Sequence, residues 1–402
     1  MNSDALPLQS VFKGIKAIDL SGGIAGPFAG VMLAQYGADV IKVEPPHGGG
    51  DWSRQLGPNH GGHTAYSVVG CLGKRNVAID LKSTEGKEIL WRLLQGADVL
   101  IEGFPPGKIQ QMGFDYETVK TREPDIIYYS TSGFGQKGPR ANMRAMDPIL
   151  QAFIGISDEN RGAIDNHPHR FELSAIDMFT GLIGFHTLSA ALHLRERDGK
   201  GRYLEIDLMH GAAMLACTRM IGSYVDGFQA RSTNISGVYD TADGQINLTT
   251  VRPAEFPLIC DALGHAELAT DPRFADAESR KTNRPALLEL VASLFKTHTT
   301  AWHEERLTER GIMCCRVNTY TDFLNDEHVR QSGIISRLKM PGFQREVPLA
   351  RFPGTPPLES GTQRGYSPLS GEHTRDVLRE LGYREGEISD LFTRGVVASA
   401  KD

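Results

Sequence analysis

Residues 14–44, GIKAIDLSGGIAGPFAGVMLAQYGADVIKVE, decide the fold. "GIKAIDL" (14–20) is a short apolar run between turn residues and reads as a buried strand. "GPFAGVMLAQYG" (26–37) reads as a helix. Pro27 stands in its first turn, where a missing N–H costs nothing, and Gly37 just past its end, where a left-handed residue commonly closes a helix. "ADVIKVE" (38–44) is a second strand. Strand, helix and strand at this spacing form a βαβ unit, which requires a parallel sheet.

The same alternation continues outward. "STEGKEILWRLLQG" is a helix opened by Ser83 or Thr84, "ADVLIEGF" a strand, and "PDIIYYSTSGFG" (124–135) a strand running into a glycine turn. Leu182, Ile183, Phe185, Leu188 and Leu192 give 178–196 a helical rhythm. It stops at "RERDGKGR", where basic residues suit a helix C-terminus, and "RYLEIDL" (202–208) follows as a strand. The expectation is an α/β fold with a Rossmann-like large domain over 1–209, its ligand at the carboxyl ends of the strands. A linker is expected over 210–235. A smaller α+β domain follows over 236–333, with Asp243-Gly244 as a hairpin turn and helices at about 254–263, 284–296 and 300–310. The Pro/Gly-rich stretch 334–371 reads as a return linker, too long for an ordinary loop. Two helices within 372–402 then complete the large domain.

Bulk properties exclude several classes. The 402 residues are twice or more the usual size of one domain; 40% hydrophobic and 23% charged is ordinary soluble composition. With 43 Lys plus Arg against 49 Asp plus Glu, a formal charge of −6, no nucleic-acid or membrane footprint is expected. The five cysteines are odd in number and lack CxxC spacing, which argues against a disulfide framework or zinc site and for a reducing compartment. "MNSDALPLQSVFKG" has no signal-peptide pattern, and no apolar run reaches the ~18 residues of a membrane span. The expected location is cytoplasmic.

Two stretches carry chemistry. "SGGIAG" (21–26) nearly matches G-x-G-x-x-G, with Glu44 where a ribose-binding acid would sit; that is a weak case for a nicotinamide-dependent dehydrogenase, since Ser21 replaces the first glycine and Pro27 follows the last. In "HRFELSAIDMFTG" (169–181), Asp177 lies between Ala175-Ile176 and Met178-Phe179 at the start of the long helix. It reads as an N-cap, held ionised by first-turn amides. A nucleophile sheltered from water is a compatible reading. "DNHPHR" offers two histidines without a third ligand and reads as a surface loop, and no metal site is expected.

Four stretches together resemble the class III (family III) CoA-transferases, the family of formyl-CoA and carnitine CoA-transferases. They are "AGPFAGVMLAQYGADVIKVEPP", "KRNVAIDLKSTEGKEILWRLLQGADVLIEGFPPG", "AIDMFTGLIGFHTLSAAL" with "RDGKGRYLEIDL", and "PLSGEHTRDVLRELGY". The resemblance implies acyl-CoA:carboxylate CoA transfer, with coenzyme A as substrate and no tightly bound cofactor. It implies an interlocked homodimer whose chains thread through each other, and an aspartate nucleophile that falls on Asp177. The acid would attack the donor thioester to form an aspartyl anhydride and then an aspartyl-CoA thioester. Succinyl-CoA or acetyl-CoA donors and a small organic acid acceptor are implied at family level.

By the same resemblance, CoA would touch Ile24 and Ala25 in the first turn, Ile79 to Lys82, and Gly103, Phe104 and Pro105; Arg144 falls on a basic position, with Asp147 near it. Pro45 and Gln111 stand where some relatives carry arginines for the adenosine phosphates. Lys108, one helical turn before Gln111, is a substitute, and Arg54, Lys74 and Arg75 are further candidates. Only Gly237 remains of the glycine run that some relatives carry in the small domain. A 2-methylacyl-CoA racemase of the same fold is the alternative. It needs a second base, and Met146 stands where its histidine would be.

Overall fold

The computed structural model describes residues 8–161, 166–227 and 235–400. It divides into two compact units, 1–217 with 332–402, and 218–331.

The larger unit is built on β1 (Lys16–Asp19), α1 (Ala25–Gln35), β2 (Asp39–Glu44), α2 (Ala65–Cys71), β3 (Arg75–Ile79), α3 (Thr84–Leu94), β4 (Val99–Glu102), α4 (Lys108–Met112), α5 (Tyr116–Lys120) and β5 (Ile127–Ser132). It continues through α6 (Asp147–Phe153), α7 (Ile156–Glu159), α8 (Ala175–Asp198), β6 (Arg202–Asp207) and α9 (Leu208–Leu215). Then come α10 (Cys217–Asp226), β7 (Gly237–Asp240), β8 (Gln245–Thr249), α11 (Glu255–Ala262), α12 (Ala277–Thr282), α13 (Arg284–Phe295), α14 (Thr300–Glu309), β9 (Met313–Arg316), α15 (Tyr320–Asn325) and α16 (Glu327–Ser332). The chain closes with β10 (Ile335–Leu338), β11 (Val347–Ala350), α17 (Thr374–Glu380), α18 (Glu385–Thr393) and β12 (Val397–Ala398).

Seven strands form the sheet, in the order β12-β3-β2-β1-β4-β5-β6. All pairs are parallel except β12, which runs antiparallel to β3. The strand order reverses between β1 and β4, where doubly wound sheets open a crevice for ligands. The central strands carry apolar residues on both faces because both faces are covered, while the edge strand β6 is half exposed. Ile18, Ile41, Leu100 and Tyr128 point to one core, shared with Leu90, Val377 and Leu391. Their neighbours Ala17, Val40, Ile101 and Tyr129 point to the other, shared with Ala29, Leu33 and Leu188.

Helix α8 is long and apolar enough, by length and composition, to cross a bilayer. In this fold it lies against α1, which comes so close that a Cβ on Gly181 would stand 2.7 Å from the Ala25 carbonyl oxygen. The stretch 210–235, expected as a linker, is helical through Asp226; residues 228–234 lie outside the described residues. The return segment 334–371 is not a free tether. It holds the β10–β11 hairpin, and Leu338, Met340, Phe352 and Leu358 pack with Val31, Met32 and Val68 of the larger unit.

The smaller unit pairs β7, β8 and β9 antiparallel, with the turn at 241–244 closed by Thr241 N–H to the Gly244 carbonyl at 2.9 Å. Its separate core includes Tyr239, Ile246, Phe256, Phe274, Phe295 and Leu307.

Candidate active site

The turn from β1 into α1 is fixed by buried charge. The Asp51 carboxylate accepts from Gly23 N–H at 3.1 and 3.3 Å and from Ser53 N–H at 2.9 Å. Gly23 is required here: its φ is +78°, and a Cβ would stand 2.3 Å from the Trp52 indole. Beneath the turn, Lys42 Nζ donates to the Ser21 carbonyl at 2.5 Å and pairs with Asp51 at 2.9 Å. Asp19 accepts from Ser21 N–H at 2.9 Å and pairs with Lys74 at 2.7 Å. Burial works to raise both acids. For Asp51, Lys42 and the turn amides outweigh it, and for Asp19, Lys74 and Lys42 do, so both stay below the ordinary range.

This network corrects three expectations. Lys74 is buried and donates also to the Pro27 and Gly70 carbonyls, so it cannot reach a phosphate. Arg54 is a buried partner of Glu44, through Nε and Nη2 at 2.8 Å each. Arg75 pairs with Asp39 and Glu380 at the amino end of β3, away from the strands' carboxyl ends. Glu44, the candidate ribose acid, is likewise consumed: it also accepts from Asp51 N–H at 3.0 Å and Asn76 Nδ2 at 2.7 Å.

A cavity of about 700 Å³ opens at the carboxyl ends of β1 to β4. Of the residues singled out in the sequence, Pro45, Ile79, Lys82, Gly103, Phe104, Pro105, Lys108 and Gln111 line it. Lys82, Lys87 and Lys108 bring positive charge to a largely apolar wall whose acids Glu44 and Asp51 are already paired and which also carries Asp80, suiting a partly apolar ligand with anionic groups. Trp52 and Lys87 line the cavity as well, and Lys87 was missed. Trp52 sits in a loop whose sequence reads equally as a connector, and Lys87 looks like any exposed helical lysine. Ile24 and Ala25 do not line the cavity: both are buried, and Ala25 packs with Phe134, Leu150 and Ile176. Arg144 is exposed and also lies off the cavity. Part of "DNHPHR", Asp165, lies outside the described residues.

Asp177 is the third residue of α8, not its cap. The cap position is Ser174, whose side chain makes no capping hydrogen bond. The first-turn amides go instead to Asp147, whose Oδ2 accepts from Ile176 N–H at 2.6 Å and Asp177 N–H at 3.1 Å. Asp147 is therefore a buried end-piece of α8 rather than a contact in the cavity. Burial first, and the Asp147 charge second, push the Asp177 carboxyl up to about 7. The expectation of an acid held ionised by amides is thus reversed: Asp177 titrates near neutrality.

Helical spacing puts Asp177 on the face of Gly181 and Gly184, toward α1. Ala175, Met178, Phe179 and Leu182 occupy the other side and line a separate apolar cavity of about 530 Å³. Asp177 itself lines neither cavity; the turn at 21–25 runs from the larger one to the start of α8. Ser21 and Gly22 line the larger cavity, and Ala25 packs on the first turn of α8 at Ile176.

Comparison with known proteins gives the family and the fold. Residues 12–374 match the family model described as CoA-transferase family III. The chain is 32% identical to succinyl-CoA–D-citramalate CoA-transferase of Chloroflexus aurantiacus over 95% of this chain and 97% of the relative. It is also 32% identical to succinate–glutarate CoA-transferase of Agrobacterium fabrum, over 92% and 95%. Among solved structures, a CAIB/BAIF family protein from Brucella suis superposes with a TM-score of 0.80 at 31% identity, covering 92% of this chain and 99% of that one. The chain belongs to CoA-transferase family III and is a CoA-transferase, its substrates CoA thioesters.

Proposed function

We propose that Asp177 is the covalent nucleophile for CoA transfer between an acyl-CoA donor and a small carboxylic acid, with CoA held in the 700 Å³ cavity. One observation carries the reading: a half-buried carboxylate, raised to about 7, that no protein hydrogen-bond donor reaches among the described residues. A carboxylate this basic is a stronger nucleophile than an ordinary one and is ionised in about half the molecules at neutral pH.

The ionised Asp177 attacks the donor thioester carbonyl; the C–S bond breaks, CoA leaves as thiolate, and an aspartyl–acyl anhydride remains. The thiolate attacks the aspartyl carbonyl, releasing the donor as carboxylate and leaving an aspartyl-CoA thioester. The acceptor carboxylate attacks that thioester and the two steps reverse, so atoms and charge balance without any external reagent. Each intermediate hydrolyses readily, so the site must exclude water. The apolar walls of the cavity and the burial of Ile176 beside Asp177 support that requirement. Relatives named for succinyl-CoA–D-citramalate and for succinate–glutarate transfer support succinyl-CoA as donor and a small dicarboxylate as acceptor. The interlocked homodimer belongs to the same proposal. It is supported by the apolar side chains exposed at Met214, Leu215, Ile221, Tyr224 and Val225, surface that a second copy would cover. The racemase reading has no second base to call on, because Met146 cannot ionise.

The test is mass spectrometry of protein quenched during succinyl-CoA turnover, with hydroxylamine trapping. An adduct is expected on the peptide carrying Asp177. Asp177→Ala is expected to stay folded and lose transfer; turnover near wild type in that variant excludes this route.

A further inference from the structure

Asp147 reaches α8 from another helix, 30 residues earlier in the chain. It is buried, and three donors surround its carboxylate: Ile176 N–H and Asp177 N–H on Oδ2, and Gln151 Nε2 on Oδ1 at 2.5 Å. Gln151 is fixed in turn. Its Nε2 donates to the Phe171 carbonyl at 3.1 Å, and its Oε1 accepts from Phe171 N–H at 2.8 Å. The segment leading into α8, the residue that ends the helix and the α6 helix are thereby tied together. No cation within hydrogen-bonding reach neutralises this carboxylate among the described residues.

That arrangement does two things to Asp177. A carboxylate at the third position of a helix would ordinarily gain from the free amides of the first turn and from the helix dipole, both of which favour the anion. Asp147 takes those amides. It also sets a second negative charge beside Asp177, so the ionised form is opposed rather than helped. The other elements packed on α8 offer no compensation. Helix α1 brings no ionisable side chain; α9 brings His210, held by Asp207 at 2.7 Å; β5 brings Tyr128 and Tyr129, and β6 Arg202, Tyr203, Glu205 and Asp207; Arg351, just after β11, lines the apolar cavity on the opposite side of α8 from Asp177. Of these groups only Asp147 acts on the Asp177 carboxyl.

We propose that Asp147 is a positioning residue that ends α8 from outside and, by occupying its first-turn amides, keeps the Asp177 carboxylate basic and free to attack. This rests on Asp177 being the nucleophile. It predicts that charge at Asp147, more than its shape, sets how strongly Asp177 attacks.

Asp147→Asn keeps an acceptor for the amides and removes the charge; Asp147→Glu keeps the charge. In Asp147→Asn the acid limb of the kcat/KM profile is expected to move to lower pH by about one unit, with kcat at pH 8 down about tenfold and KM for the donor little changed. Asp147→Glu is expected to keep the wild-type acid limb. A readout independent of turnover is the infrared carboxyl band assigned by difference against Asp177→Asn, which should titrate near pH 7 in the wild type and lower in Asp147→Asn. An unshifted band and acid limb in Asp147→Asn overturns the inference. So does a wild-type Asp177 band titrating near 4, which needs no Asp147 variant and holds even if those variants fail to fold. Loss of the nucleophile assignment looks different: Asp177→Ala would then still turn over, whatever Asp147 does.

Discussion

Asp177 holds its place at a cost to the folded state. Its carboxyl is raised from 3.8 to about 7, by burial and then by Asp147. Between roughly pH 4 and 7 the folded chain therefore keeps a proton that the unfolded chain has released, and stability falls as pH rises through that window. The penalty is complete above about pH 7 and absent below about pH 4. Asp177→Asn removes it, so this variant should be more stable than wild type at pH 8, by on the order of 1–3 kcal/mol given partial solvation of the carboxylate, and equal to it near pH 4. Thermal melts at the two pH values check this. A variant less stable than wild type at pH 8 would mean the carboxylate serves the helix rather than the chemistry. The position of Asp177 at a helix start is legible in the sequence; its environment is not. The residue that takes its amides lies 30 positions away on a helix of only seven residues, too short to show a periodic pattern. The same blindness misled the reading of Lys74 and Arg54. A lysine or arginine beside a candidate loop looks like a phosphate ligand until its partner is known, and the partners, Asp19 and Glu44, are found only by folding.

The first βαβ unit shows which elements sequence does specify. The strands of 14–44 are short apolar runs and its helix is bounded by Pro27 and Gly37, so local preference and tertiary environment agree. Helices α4 to α7 are four to seven residues long and carry no such signature, and the antiparallel β12 is two residues. What holds the first turn in place at the cavity is the buried layer below it. Lys42 is fully buried, joined to both the Ser21 carbonyl and Asp51, and Asp51 in turn holds the Gly23 amide. Lys42→Met keeps the apolar stem and deletes the charge. It leaves Asp51 as an unpaired buried anion, a change that costs about 3–5 kcal/mol. The expected outcome is a lower urea midpoint with unchanged slope, together with a several-fold higher KM for the acyl-CoA donor, because the turn that lines the cavity loses its anchor. A lower midpoint with unchanged KM would separate the ion pair from the site.

At the scale of the molecule, the larger unit is made from both ends of the sequence, with the smaller unit inserted between them. The C-terminal segment is part of the sheet and of one core. Val397 pairs with Ile79, the His373 N–H donates to the Asn76 carbonyl at 2.9 Å, and Ala78 N–H donates to Thr374 Oγ1 at 3.0 Å. Strand β3, thus covered, leads directly into the cavity residues Ile79 and Lys82. Removing 371–402 uncovers the outer edge of β3 and takes away Val377, Leu378, Ile388, Leu391, Val396 and Val397, all buried in the core under α3. At roughly 1.5–3 kcal/mol for each of the six buried side chains, the loss is at most about 9–18 kcal/mol, comparable with the whole stability of a typical domain, roughly 5–15 kcal/mol. The truncated chain should therefore fail to fold its larger unit. It should appear in the insoluble fraction on expression and show no saturable acyl-CoA binding by calorimetry. The smaller unit has its own core and loses none of these contacts, so protease-resistant fragments from 218–331 should survive digestion of the truncated protein while fragments of 1–217 do not. A soluble truncation that still binds acyl-CoA would show that strands β1 to β6 and their helices suffice to build the cavity, and that the closing segment only protects the sheet edge.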